Sequence, residues 1–239
     1  MTNTTSSEIT EAGVRALSES QAEPEWLLRC RLDAWRTFQT MAMPSGLEEE
    51  WRRTDLRGLD LEAALQRVAP GAVPEGMAAG IVPHMDGSAA IDPALAERSG
   101  LDGLLLQHDG RTRERFVSTG LDRRVVFTDL ATAAKERPEV VEPNLGSLVL
   151  PSEWKLQALA AALWSGGCVV HVPRGVEVEL PLRYVTTGGE SGAPLFNHVL
   201  VVAEEGSGVT LIQEASSPDS DRQTLVSGAV EIICGPDGV

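Results

Sequence analysis

Residues 162–214 read ALWSGGCVVHVPRGVEVELPLRYVTTGGESGAPLFNHVLVVAEEGSGVTLIQE, a helical ending followed by strand, glycine turn and strand in succession. A valine-rich run at 169–172 is broken by Pro173, Arg174 and Gly175. Val176, Val178 and Leu180 then alternate with Glu177 and Glu179, the period of two that marks a strand with one buried face, and Pro181 stops it. The pattern returns: 199–203 is apolar, 204–208 is a turn, and 209–212 resumes the strand. A third pass runs from 230–234 into Gly235, Pro236, Asp237, Gly238 and Val239.

The junctions Gly175 to Val176, Gly208 to Val209 and Gly238 to Val239 recur at roughly 30 residues, within the period range of solenoids. A β-solenoid is the expected core. A single coil cannot bury its own apolar face, so stacked coils supply the interior and the glycines permit positive φ at the corners. Regularly spaced short strands also suit a β-sandwich.

Working outward, the chain divides into five segments. Residues 1–22 are polar and read as a mobile leader with a short helix near Val14 and Leu17. Residues 23–69 read as a helical region: Leu28, Leu32, Trp35 and Phe38 fall at helical spacing after Pro24, and Pro44, Ser45 and Gly46 end that helix. Two short helical pieces are then expected over 47–68, separated by Gly58. Residues 70–100, rich in Ala, Gly and Pro, read as an irregular linker with strand content around Ile81 and Val82. Residues 101–165 form a mixed strand-helix entry segment, with strands at 104–106 and 125–127, a turn at His108, Asp109 and Gly110, a helix capped by Thr128 or Asp129, and a helix over 154–164. The solenoid coils occupy 166–239.

With 35 acidic against 20 basic side chains the chain carries a formal charge of -15, which repels phosphate backbones and acidic membrane surfaces. Nucleic acid is not an expected partner, and the acidity reads as a solubility feature. Cys30, Cys168 and Cys234 are odd in number and far apart, which suits free thiols in a reducing cytoplasm. No run approaches the ~18 apolar residues of a membrane span, and MTNTTSSEITEAG lacks the basic start and apolar core of a signal peptide.

The chain has no phosphate-binding G-x-x-x-x-G-K-[ST] loop, no H-E-x-x-H and no G-x-S-x-G, so nucleotide hydrolysis by this chain is not expected. Cys168 and His171 are borderline-soft ligand types, but residues three apart in a strand face opposite ways and cannot chelate one ion without a bulge. His198 and Cys234 sit in separate coils, where stacking could bring distant positions together. Glu177, Glu179, Glu204 and Glu205 are explained by strand alternation and a polar turn without acid–base catalysis. Trp51, Arg52 and Arg53 read as packing with surface ion pairs rather than as an anion site. No catalytic, cofactor-binding or metal-ligating residue is assigned.

Two blocks carry a family resemblance. Glu49, Glu50, Trp51, Arg52, Arg53, Thr54, Asp55 and Leu56, after the PEWLLRCRLDAWRTF helix, resemble the N-terminal helical region of the SufD branch of the SufB/SufD family, where an aromatic residue is usual at the place of Arg53. Ala162, Leu163, Trp164, Gly167, Val172, Pro173, Gly175, Val176, Pro181 and Leu182 resemble the core shared by both branches. The resemblance runs from about residue 23 to 239 and is weaker over 70–100. It implies an α+β chain in which a helical region precedes a right-handed parallel β-helix. It also implies a heterodimer with a SufB-like subunit, association with a SufC-like ATPase, and iron–sulfur cluster assembly by the whole complex.

The family continues past the point matched by Val239, so this chain is expected to be truncated. The family's ATPase-docking region and its late cluster-linked histidine have no matching positions here. An iron–sulfur cluster or iron is therefore expected only in the assembled complex, and the chain itself is expected to be a non-catalytic scaffold. The open coil end predicts aggregation or dimerisation of the isolated chain. A SufB-type paralogue and a β-helix carbohydrate-active enzyme are the alternatives. The first would lack the EEWR-x-T-D-L block, and the second would need carboxylates or basic residues clustered across adjacent coils.

Overall fold

The structure, a computed structural model, describes residues 10–65, 100–188, 193–217 and 223–239. The strand content expected around Ile81 and Val82, and the end of the helical pieces expected over 47–68, lie outside them.

Helix α1 (Glu11–Ser20) is longer than the short helix expected in a leader and is packed rather than mobile, because Val14 is fully buried and Leu17 packs against the same core. Helix α2 (Glu25–Thr40) buries Leu27, Arg31, Leu32, Trp35 and Phe38 along one stripe, the geometry of an amphipathic helix against a core. The helical piece expected at the start of 47–68 is instead a series of turns. There Glu48 accepts from the Ser45 N–H at 2.9 Å and its hydroxyl at 2.7 Å, and Asp55 accepts from the Arg57 N–H at 3.0 Å. Such local side-chain bonds compete with helical ones. Helix α3 (Leu61–Leu65) follows.

Strands β1 (Gly103–His108) and β2 (Arg111–Val117) form a hairpin whose turn residues Asp109 and Gly110 have φ of 48° and 74°. β2, RTRERFV, is a charged edge strand without an apolar run to announce it. β3 (Val126–Asp129) runs into α4 (Leu130–Glu136), where the Asp129 carboxylate accepts the Thr132 N–H at 2.9 Å as the N-cap. Helices α5 (Pro138–Val141) and α6 (Lys155–Leu163) precede β4 (Gly166–Val172). Then come β5 (Leu182–Thr187), β6 (Leu195–Ala203), β7 (Leu211–Ser216) and β8 (Val226–Cys234).

These strands make two four-stranded mixed sheets, ordered β2-β1-β5-β7 and β3-β4-β6-β8. β1–β2 and β3–β4 are antiparallel; the other pairs are parallel. From β4 onward successive strands alternate between the sheets, so each pairs in parallel with the strand roughly 30 residues further on. The register carries Cys168 opposite Val199 and Val199 opposite Val230, and likewise Val170, Val201 and Ile232. Between the sheets lie Leu105, Phe127, Cys168, Val170, Leu182, Tyr184, Val199 and Val201. A second core joins Trp35, Leu159 and Leu163 of the helices to Val169, Phe196 and Leu200 of β4 and β6.

The alternation at 176–180 is real in burial but is not a full strand. Val176 and Val178 are buried, yet the only ladder contact there is an isolated bridge between Glu177 and Gly208. The strand begins after Pro181, whose missing N–H marks the corner, and not before it.

Candidate functional site

A buried polar cluster lies where the helical layer meets β6 and β8. His198 Nε2 is 2.6 Å from Glu231 Oε2, and both residues are buried. The same carboxylate accepts the N–H groups of Gly146 at 2.7 Å, Leu148 at 2.7 Å and Val149 at 3.0 Å, all from the loop before α6. Gly146 has φ of 73°, and the loop wraps its amides around the anion. Burial pushes the Glu231 carboxyl up, but the His198 bond and the three amides outweigh it and hold the group at about 2.

One strand pair earlier, at β4 and β6, the pairing recurs. His171 Nε2 lies 2.9 Å from Glu204 Oε1, which with the Arg174 N–H at 2.9 Å from Oε2 holds that carboxyl below its ordinary range. Arg174 also pairs with Glu205 at 2.6 Å, so the turns after β4 and β6 are tied together. On the opposite sheet, buried Gln107 accepts from the Gly167 N–H at 3.0 Å and the Tyr184 hydroxyl at 2.7 Å, and donates to the Gly167 carbonyl at 3.1 Å. His108 Nδ1 is 2.9 Å from Thr187 Oγ1, at the far end of the β1–β5 pair.

The residues weighed in the sequence fall apart accordingly. Cys168 is buried between the sheets, and burial pushes its thiol up, which disfavours the thiolate that metal binding requires. His171 is engaged by Glu204 instead. In the ladder His198 stands opposite Ala229 and Cys234 opposite Ala203, so the two do not meet. Trp51 packs edge-on against Trp154 at 5.8 Å, and Arg52 pairs with Glu49 at 3.1 Å. Among the described residues no group of three or more His, Cys, Asp or Glu could hold a metal ion. Glu231, Gln107 and Arg31 stand in no motif of the sequence. For Glu231 the available signal was a lone acid inside the apolar run VEIIC.

Arg31 ties the helical region to this core. Its guanidinium is fully buried with Glu23 at 2.6 Å, donates to the Ala162 carbonyl at 3.1 Å, and lies 3.9 Å from the Trp164 ring centroid. The polar groups therefore bind one another across neighbouring strands and between the helices and the sheets, an arrangement that fixes shape.

Residues 106–184 match the family model described as the SufBD protein N-terminal region. The chain is 27% identical over 231 residues to an iron-sulfur cluster assembly SufBD family protein of Staphylococcus saprophyticus, covering 96% of this chain and 48% of the relative. A relative of the same description from Staphylococcus haemolyticus is 29% identical over 238 residues, with the same shares. The chain spans about half the length of the curated relatives it matches. The chain is thus similar to proteins that carry the name of iron-sulfur cluster assembly SufBD family proteins. No helix among the described residues is long and apolar enough to cross a membrane.

Proposed function

We propose that the chain belongs to a SufD-like scaffold subunit of a cytoplasmic iron–sulfur cluster assembly complex, working with a SufB-like partner and a SufC-like ATPase. The observation that carries this reading is the family match over 106–184, the stretch from β1 into β5 on which the later strands stack. The parallel register of β4, β6 and β8, and of β5 and β7, supports reading these strands as the first coils of a right-handed parallel β-helix. The polar pairs across coils suit a body that holds partners in position. In this role ATP is hydrolysed in the SufC-like subunit, whose movement biases the relative orientation of the two scaffolds. The cluster is cargo of the assembly.

Deletion of the gene tests the role. Iron–sulfur enzymes in the deletion strain are expected to lose cluster occupancy and to regain it when the gene is restored. Unchanged occupancy in the deletion strain would refute the reading.

A further inference from the structure

Of the 20 basic side chains in the sequence only two are lysines, Lys135 and Lys155, and each reaches the end of a helix other than its own. Helices α1 and α2 both finish without a basic residue in the last turn, which leaves carbonyls without partners at the negative end of the helix dipole. Lys135 Nζ donates to the Gln21 carbonyl, at the end of α1, at 3.0 Å. Lys155 Nζ donates to the carbonyls of Phe38 at 2.8 Å and Met41 at 2.7 Å, at the end of α2, and lies 4.4 Å from the Phe38 ring centroid. These ammonium groups meet backbone carbonyls, whereas arginines such as Arg31, Arg52 and Arg57 meet carboxylates. The division follows from shape: an ammonium is a compact charge with three donors, while a guanidinium is a planar fork matched to a carboxylate.

The two lysines differ in access. Lys155 is half-buried at the start of α6, but Lys135 is exposed in the last turn of α4, so its charge serves the negative ends of two helices, α4 and α1. Its partner Gln21 lies in the turn that joins α1 to α2, two residues before Glu23, whose carboxylate is buried with Arg31. That turn therefore has one buried tie and one exposed tie. The exposed tie is an amine that acylation neutralises, a change no arginine in its place would undergo.

We propose that Lys135 is an acylation site that acts as a latch on α1, with an acyl thioester as the donor. The ammonium releases one proton to water and the amine nitrogen bonds to the thioester carbonyl carbon. The C–S bond breaks, and the thiolate that leaves with the electron pair takes the second proton from nitrogen. The product is a neutral amide, and no atom is oxidised or reduced. Without its charge the side chain no longer favours the two helix ends, so the last turn of α1 loosens while α2 stays held by Arg31 and Lys155. The latch does not rest on the assembly role.

The test treats the intact protein with the acetyl thioester of N-acetylcysteamine and locates the modified amines by mass spectrometry of its peptides. Lys135 is expected to be acetylated ahead of Lys155. The amides of Gln21, Ala22 and Glu23 bond to carbonyls of the last turn of α1. Their hydrogen exchange should quicken about two- to fivefold in the acetylated protein and in Lys135→Gln, with the α2 amides unchanged, as loss of a charge at a helix end requires. Lys135→Arg keeps the charge and should exchange like the parent. Lys135 is exposed, so these replacements leave the core intact, which circular dichroism checks. The proposal is overturned if Lys155 is acetylated as fast as Lys135, if exchange in α1 is unchanged by acetylation and by Lys135→Gln, or if Lys135→Arg behaves like Lys135→Gln. Equal quickening of the α1 and α2 amides would mark a general loosening and would also overturn it.

Discussion

The His198 imidazole and the Glu231 carboxylate meet at 2.6 Å beneath the helical layer, joining the paired strands β6 and β8, and the same carboxylate gathers three backbone amides from the loop before α6. A single buried side chain thus connects β6, β8 and the helical layer. Glu231→Gln replaces one carboxylate oxygen by an amide NH2, a donor turned toward N–H groups that need an acceptor. A cost of about 2–4 kcal/mol is expected in urea unfolding. Hydrogen exchange at Gly146, Leu148 and Val149 should quicken more than at the α2 amides.

The same group sets an acid limit on stability. Its carboxyl is held at about 2 against an ordinary 4.5, so the unfolded chain takes up the proton first as pH falls. The contribution is complete above about pH 4.5 and is lost as pH falls toward 2, worth ~3 kcal/mol in all. Unfolding free energies measured across this range should fall more steeply for the parent than for Glu231→Gln. Parallel profiles would remove Glu231 from the account.

Arg31 and Glu23 form a fully buried ion pair. Arg31→Met leaves the Glu23 carboxylate without its partner and should cost about 3–5 kcal/mol, whereas Arg31→Met combined with Glu23→Leu should recover much of that loss. A double-mutant cycle by chemical denaturation gives the coupling. Additive losses would mean that the pair does not act as a unit.

Much of this fold can be read from local pattern. The runs at 169–172 and 199–203 became β4 and β6, and Asp129 caps its helix, because apolar runs and caps are local signals. β5 is hidden by Leu182, Arg183, Tyr184 and Val185, whose alternation is masked by an arginine that reaches Glu214 on the neighbouring strand β7 at 2.6 Å. The turns at 46–59 defeated a helical reading, since Glu48 and Asp55 spend their acceptors on nearby backbone. The polar joints were not legible at all. Glu231 and Gln107 find their partners only once the sheets and helices have come together, across sequence separations that no local window spans.

The stacking register makes its own prediction. A Cβ on Gly167 would run into the carbonyl oxygen of His198 on the neighbouring strand, and backbone cannot swing aside as a side chain can. Gly167→Ala should cost about 3 kcal/mol. Gly175→Ala faces open space and pays only for a φ of 68°, about 1 kcal/mol. Equal thermal shifts for the two variants would contradict the β4–β6 register.

Thiol reactivity separates the faces of the sheets. Cys30 and Cys234 are exposed, while Cys168 is buried and its thiol is pushed up. Two thiols should react with an aromatic disulfide reagent in the native protein, and the third only on unfolding. Rapid reaction of all three would open the interface between the sheets.

The scaffold role is tested most directly by tagging the natural gene product in its own cells and isolating what accompanies it. Co-purification of a SufB-like subunit and a SufC-like ATPase in fixed proportion is the predicted result. Recovery of the tagged protein without either partner, under conditions that preserve other assemblies from the same cells, would contradict the account.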